Sequence, residues 1–130
     1  MENITQILGT GIDLVENARI EASIEKFGEH FLRRIFTDAE IAYCAPMRNA
    51  TPHYAARFAA KEAVAKAFGC GIGESLGWLD MEVIRAESGA PSVLLHGAGR
   101  DLAAQRGATR IFLSLSHTEN YSVASVTLVG

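Results

Sequence analysis

The stretch with the most chemical promise is RFAAKEAVAK, from Arg57 to Lys66. Phe58, Glu62 and Lys66 stand four residues apart, so on a helix they share one face. One reading is an exposed ion pair between Glu62 and Lys66, with the acid in the favoured N-terminal place. The other is a metal-binding carboxylate beside a phosphate-binding ammonium. Magnesium takes oxygen ligands, commonly one or two carboxylates completed by substrate phosphates. Glu62 needs a second acid for this, and Asp13 is the best candidate. In ILGTGIDLV (Ile7 to Val15), Gly9, Gly11 and Asp13 fall on one side of an alternating strand. Glycine weakens a strand unless something approaches closely, which suits a ligand-accepting surface. The plainer reading of Asp13 is a turn or helix-capping acid.

Two further segments invite a chemical reading. Gly69-Cys70-Gly71-Ile72-Gly73 is either a helix C-cap with a connection or a loop whose amides approach phosphate. Coming after a helix, it is not a dinucleotide fingerprint. Ser116-His117-Thr118 ends a strand. Neighbouring strand residues point to opposite faces, so Ser116 and His117 form no nucleophile pair. No G-x-S-x-G stands at a strand-to-helix elbow, and H-E-x-x-H does not occur. His30, His53 and His96 lack zinc-ligand spacing. Arg19, Lys26, Arg33 and Arg34 are interleaved with Glu16, Glu21, Glu25 and Glu29. They read as a solvated face unless the partner is acidic.

The elements that must position these residues follow from periodicity. Ile7 to Val15 alternates as a strand. Ile20, Ile24, Phe27 and Phe31 mark a helix from about Asn17 to Leu32, with Gly28 inside it. Thr37-Asp38-Ala39-Glu40 is a capping-box pattern for a second helix, and Pro46 ends it. Thr51 and Pro52 predict the N-cap and first position of a third helix, Ala-rich and running to Phe68, with Gly69 as its stop. Trp78 to Arg85 and Ser92 to His96 predict strands about a Glu87–Pro91 turn, Gly99 to Gln105 a short helix, and Ile111 to His117 and Tyr121 to Val129 strands joined by a tight turn. Helices early and strands late predict an α+β fold with a largely antiparallel sheet.

Composition sets the outer bounds. The 130 residues are 48% apolar and 21% charged, which predicts one globular domain over residues 1–130. A net charge of −3 disfavours a general nucleic-acid binder. No apolar run approaches the roughly 18 residues of a membrane span, and Met1 to Leu14 holds no signal-peptide core. Cys44 and Cys70 are too few for a disulfide framework, so a reduced, cytoplasmic protein is the default. A core this small leaves room for oligomerisation.

Four blocks then carry a resemblance. GTGIDLVE (Gly9 to Glu16), RIFTDAE (Arg34 to Glu40), RFAAKEAVAKAFGCGIG (Arg57 to Gly73) and SLSHTENYSVASV (Ser114 to Val126) resemble, in order, the holo-acyl-carrier-protein synthases, the short type of 4′-phosphopantetheinyl transferase. The resemblance implies transfer of phosphopantetheine from coenzyme A to a serine of apo-acyl carrier protein. Adenosine 3′,5′-bisphosphate would be released, with Mg²⁺ as cofactor, in the service of fatty acid biosynthesis. It places the metal-binding pair on Asp13 and Glu62 and the phosphate-contacting lysine on Lys66. The catalytic set is then Asp13, Glu62 and Lys66. Arg57, Gly69, Gly73, His117 and Thr118 join Lys66 as the coenzyme A-binding set. Thr118 stands where some relatives carry Asp. Arg19 and Lys26 fall on the helix that docks the acidic carrier protein, and Asn17 and Ala18 stand where some relatives have further charge. The resemblance also implies a homotrimer with sites between protomers. A different class, a non-catalytic oligomeric module that binds a nucleotide or carrier protein, would have no need of Asp13, Glu62 and Lys66 together.

Overall fold

A computed structural model describes residues Thr5–Gly130. Met1–Ile4, the first residues of the segment expected to lack a signal-peptide core, lie outside it. Strand β1 (Ile7–Glu16) leads into helices α1 (Asn17–Phe27), α2 (Glu29–Ile35), α3 (Asp38–Cys44) and α4 (Thr51–Ala67). After a single 3₁₀ turn at Trp78–Asp80 come β2 (Met81–Arg85), β3 (Pro91–Leu95), α5 (Gly97–Arg106), β4 (Arg110–His117) and β5 (Tyr121–Val129). β1, β5 and β4 form an antiparallel sheet in that spatial order, and β2–β3 is a separate antiparallel hairpin. The α+β expectation holds. Among the described residues no helix is long and apolar enough to cross a membrane.

The main sheet and α4 together build the core. α4 lies across the inner face of β1 and β5, burying Ala59, Ala60, Ala63 and Val64 against Val15, Ala124, Val126 and Leu128. This contact explains the two glycines before Asp13. A Cβ on Gly9 would sit 2.0 Å from the Ala67 carbonyl oxygen, and one on Gly11 2.0 Å from that of Ala63. The close approach that those glycines permit is made by α4, not by a ligand. The ligand-accepting reading of this strand face is therefore corrected at Gly9 and Gly11. Among the described residues no helix covers the outer face of the sheet, and Ile12 and Leu14 are each 63% exposed there.

Local chemistry sets the helix ends. Gly28 adopts φ 56° and ψ −135°, which breaks the expected first helix into α1 and α2. At Thr37 the capping box is complete: its hydroxyl accepts from the Glu40 amide, and Glu40 accepts from the Thr37 amide. Thr51 is the first helical residue rather than the cap, because the Tyr54 amide already donates to the Ala50 carbonyl. Gly69, at φ 74°, closes α4: its amide donates to Lys66 and that of Cys70 to Ala65, a Schellman arrangement. Trp78 to Asp80 forms a turn instead of the start of a strand, because the Asp80 carboxylate accepts from the Gly77 amide.

The hairpin is pinned to α3 by Glu82, which binds His96 Nε2 at 2.8 Å and accepts from the Thr37 hydroxyl at 2.9 Å. Burial by itself would raise the Glu82 carboxyl, but these two hydrogen bonds, together with the charges of His96 and Lys61, outweigh it and hold the group below its usual range. The stability that this provides is present above the ordinary glutamate range and is lost as pH falls through the lower, folded value. Glu82→Gln is expected to flatten the acid side of the unfolding profile. Urea titrations between pH 3 and 7 would read the loss.

Candidate active site

The site is built where the edge strand β1 meets the last turns of α4. Asp13 points inward from β1, paired in register with Ala124. Lys66 reaches back from α4 and donates to Asp13 Oδ1 at 3.0 Å and to the Ile12 carbonyl at 2.9 Å. The Glu62–Lys66 surface pair is therefore not what forms. Lys66 bonds across elements to Asp13, and among the described residues Glu62, half-buried, keeps no cation of its own within bonding reach.

Glu62 is electrostatically uncomfortable. Burial pushes its carboxyl above the usual range and the charge of Asp13 pushes it further, while Lys66 and Arg19 pull it back. Two carboxylates that repel one another at a partly desolvated strand edge fit a shared divalent cation, which would neutralise both. The donors on offer are hard oxygens: Asp13, Glu62 and the neighbouring Ile12 carbonyl. Among the described residues no third Asp, Glu, His or Cys joins a metal-holding group. A bound Mg²⁺ would therefore take its remaining ligands from water and substrate phosphate, as this ion commonly does.

A second, cationic group lies toward the other end of α4. Arg57 is 2% exposed, its guanidinium 4.4 Å over the Tyr43 ring, donating to the His53 carbonyl. Its Nε has no partner among the described residues. Arg85, from β2, reaches the same ring at 5.5 Å. The His53 ring lies 6.1 Å from Tyr43 and 6.1 Å from His117 at the end of β4. Burial, then Arg57, His117 and Arg85, lowers the His53 pKa, so the imidazole stays neutral among the arginines. The Cys44 thiol is pushed up to about 11 by burial, which makes it inert. Tyr43 and Arg85 did not stand out in the sequence, and His53 did so only as a histidine without zinc-ligand spacing; these residues are scattered along the chain, and no local pattern announces the cluster.

The structure thus divides the expected site residues. Asp13, Glu62 and Lys66 come together, with Arg19 exposed nearby. Arg57 and His117 do not join them: at 1.5 Å per residue, Arg57 is ~13 Å from Lys66 along α4. Arg57 is also enclosed rather than open to solvent. The Thr118 hydroxyl accepts from the amides of Asn120 and Tyr121 and so is occupied in its turn. That turn is tied to α1 by Asn17, which donates to the Thr118 and Glu119 carbonyls and accepts from Ser122. The Gly69 and Gly73 amides are likewise used within the chain, Gly73 donating to Leu76. Lys26 is exposed beside Phe27, its Nζ 5.2 Å over the ring.

Known proteins share this arrangement of elements. The family model described as the 4′-phosphopantetheinyl transferase superfamily matches residues 9–126. The holo-[acyl-carrier-protein] synthase of Koribacter versatilis is 52% identical over 122 residues, covering 94% of this chain and 98% of its own. The crystal structure of holo-[acyl-carrier-protein] synthase from Neisseria meningitidis superposes with a TM-score of 0.89 at 32% identity, over 95% of this chain and 98% of that one. The Helicobacter pylori synthase in complex with coenzyme A gives 0.82 at 31% identity, over 92% and 98%. With this extent of match, and with Asp13, Glu62 and Lys66 drawn together from separate elements, the chain belongs to the 4′-phosphopantetheinyl transferase superfamily.

Proposed function

We propose that this chain, acting as one transferase domain, moves 4′-phosphopantetheine from coenzyme A to a serine hydroxyl of apo-acyl carrier protein. The observation that carries this reading is the convergence of Asp13, Glu62 and Lys66 at one strand edge. The serine oxygen forms a bond to the β-phosphorus as the pyrophosphate P–O bond breaks. Adenosine 3′,5′-bisphosphate departs with that electron pair. Asp13 and Glu62 would hold Mg²⁺, which supplies charge neutralisation at the pyrophosphate when bound. Lys66 uses two of its three donors on Asp13 and Ile12. At 52% side-chain exposure it is free to turn its ammonium toward the leaving bisphosphate. Asp13, or water ordered beside it, takes the serine proton.

The cationic group around Tyr43 suits the remaining phosphate of the nucleotide. Its distance from Lys66 along α4 favours a site completed by a neighbouring copy, and we propose a homotrimer with sites between protomers. The uncovered apolar sheet face, with Ile12, Leu14 and Phe112 exposed, supports burial against such copies. Arg19 and Lys26 then dock the acidic carrier. The setting is the reduced cytoplasm, in fatty acid biosynthesis; Cys44 and Cys70 are free thiols.

The test incubates the protein with coenzyme A, Mg²⁺ and several apo-carrier proteins and weighs the carriers. A phosphopantetheine mass gain with release of the bisphosphate supports the reading, and no gain on any carrier refutes it. Tight coenzyme A binding without metal dependence or turnover would favour the binding module instead. Arg85→Ala is expected to raise the coenzyme A KM about tenfold, or ~1.4 kcal/mol, with kcat within about twofold, since it removes a partner of the nucleotide and nothing at the phosphorus. Steady-state kinetics at saturating carrier protein would show it.

A further inference from the structure

Resting on the transferase reading, we propose that Lys61 is a positioning residue: its buried ammonium sets the rotation of α4 about its own axis, and with it the placement of Glu62 opposite Asp13. Lys61 is 0% exposed, and its three N–H groups are all matched. They donate to Glu40 Oε1 at 2.6 Å, to the Ile35 carbonyl at 2.7 Å and to the Trp78 carbonyl at 3.1 Å. Glu40 is saturated in turn, accepting also from the Thr37 amide and, through Oε2, from the Val83 amide. One lysine thus ties α4 to the end of α2, to the start of α3, to the Trp78 turn and, through Glu40, to β2.

A helix in this setting needs such a tie. The face that α4 turns to β1 carries Ala63 and Ala67 against Gly9 and Gly11. Side chains this small offer shallow ridges and grooves, so the contact brings the helix close but resists rotation poorly. Lys61 lies two residues before Ala63, ~200° round the helix and so on the opposite side. Glu62 falls between the two faces. Phe58, on the Glu62 face, stacks on the Trp78 ring with centroids 4.9 Å apart, and the Trp78 carbonyl is the one that Lys61 holds.

The geometry demanded at Glu62 is strict. Side chains end ~5–6 Å from a helix axis, so a ~20° rotation of α4 would move the Glu62 carboxyl by ~2 Å. Magnesium binds oxygen at about 2.0–2.1 Å in near-ideal octahedra, so a shift of that size removes a ligand. The hydrogen bonds of Lys61 are directional and buried, which is what the smooth Ala–Gly contact lacks.

The test uses the full chain with Glu40→Gln/Lys61→Met, which removes both charges together, and the milder Glu40→Gln alone. Mn²⁺ binding in the presence of coenzyme A, without carrier protein, is followed by the electron paramagnetic resonance of the free ion. The expected result in a variant that unfolds cooperatively is at least tenfold weaker Mn²⁺ binding in the double variant. A smaller shift of the same sign is expected in Glu40→Gln. In steady-state assays kcat falls at least tenfold while the carrier-protein KM stays within twofold, a split that general loosening of the fold does not give. A folded double variant with Mn²⁺ binding and kcat within twofold of the parent overturns the proposal. Failure of both variants to fold also overturns it, since the pair would then serve folding and not placement. Absence of transfer in the parent chain would instead remove the functional reading, independently of how the variants bind Mn²⁺.

Discussion

Glu62→Gln is expected to abolish carrier modification while the protein stays folded and becomes no less stable. The substitution keeps size and hydrogen-bonding shape but removes the charge that, with Asp13, would bind the cation. Loss of one preorganised electrostatic element costs about 10²–10³ in kcat. Here the fall should reach or exceed that, because Asp13 would be the one carboxylate left to hold the metal. Stability should move the other way. The Glu62 carboxyl lies above its usual range through burial and then through the charge of Asp13. Its folded value therefore exceeds its unfolded one, so the stability linked to it is greatest at low pH and is lost as pH rises through the folded value. Gln carries no charge at any pH, so the metal-free variant should show a flatter profile through that window and an equal or higher melting temperature near neutrality. Mass measurement of the carrier and calorimetry from pH 4 to 8 check both halves. Full activity in the variant would refute the metal assignment.

The second large effect is on folding. Gly11→Ala is expected to destabilise the chain by at least ~3 kcal/mol, the upper part of the usual overpacking range. The added Cβ would meet the Ala63 carbonyl oxygen at 2.0 Å and the Ala67 amide nitrogen at 2.9 Å. Both are backbone atoms of a buried helix, with no flexible side chain to move aside. Small domains hold only about 5–15 kcal/mol in total, so the variant should unfold at much lower urea and accumulate poorly. Gly71→Ala is the control. Its Cβ meets nothing within 4 Å, and its φ is not in the left-handed region. It should stay within about 0.5 kcal/mol of the parent. Equal urea midpoints for the two variants would contradict the packing account.

These contrasts show which features were readable before any coordinates. The Thr37–Glu40 box, the stop at Gly69 and the alternation of β1, β4 and β5 each depend on residues close in sequence. Their hydrogen bonds and side-chain periods are local, and they form as expected. The pairing of Asp13 with Glu62 was legible in a different way. A lone acid on a helix implied a second one, the strand carrying Gly9 and Gly11 offered Asp13, and the resemblance pointed to the same residue; spacing alone could not place the two side by side.

What the sequence determined, then, is the set of elements and the residue types able to bind a cation and a phosphate. The tertiary structure decided who faces whom. Lys66 prefers Asp13 across the chain to Glu62 one turn away, because β1 brings its carboxylate and carbonyl to the ammonium. Arg57 is stacked beneath the surface on Tyr43 and separated from the acids along α4. Gly9 and Gly11 answer to a helix backbone and not to a ligand. Each outcome is fixed by contacts between residues from 14 to 58 positions apart. Such contacts depend on how α4 is set against the sheet, and no local pattern of side chains records that distance.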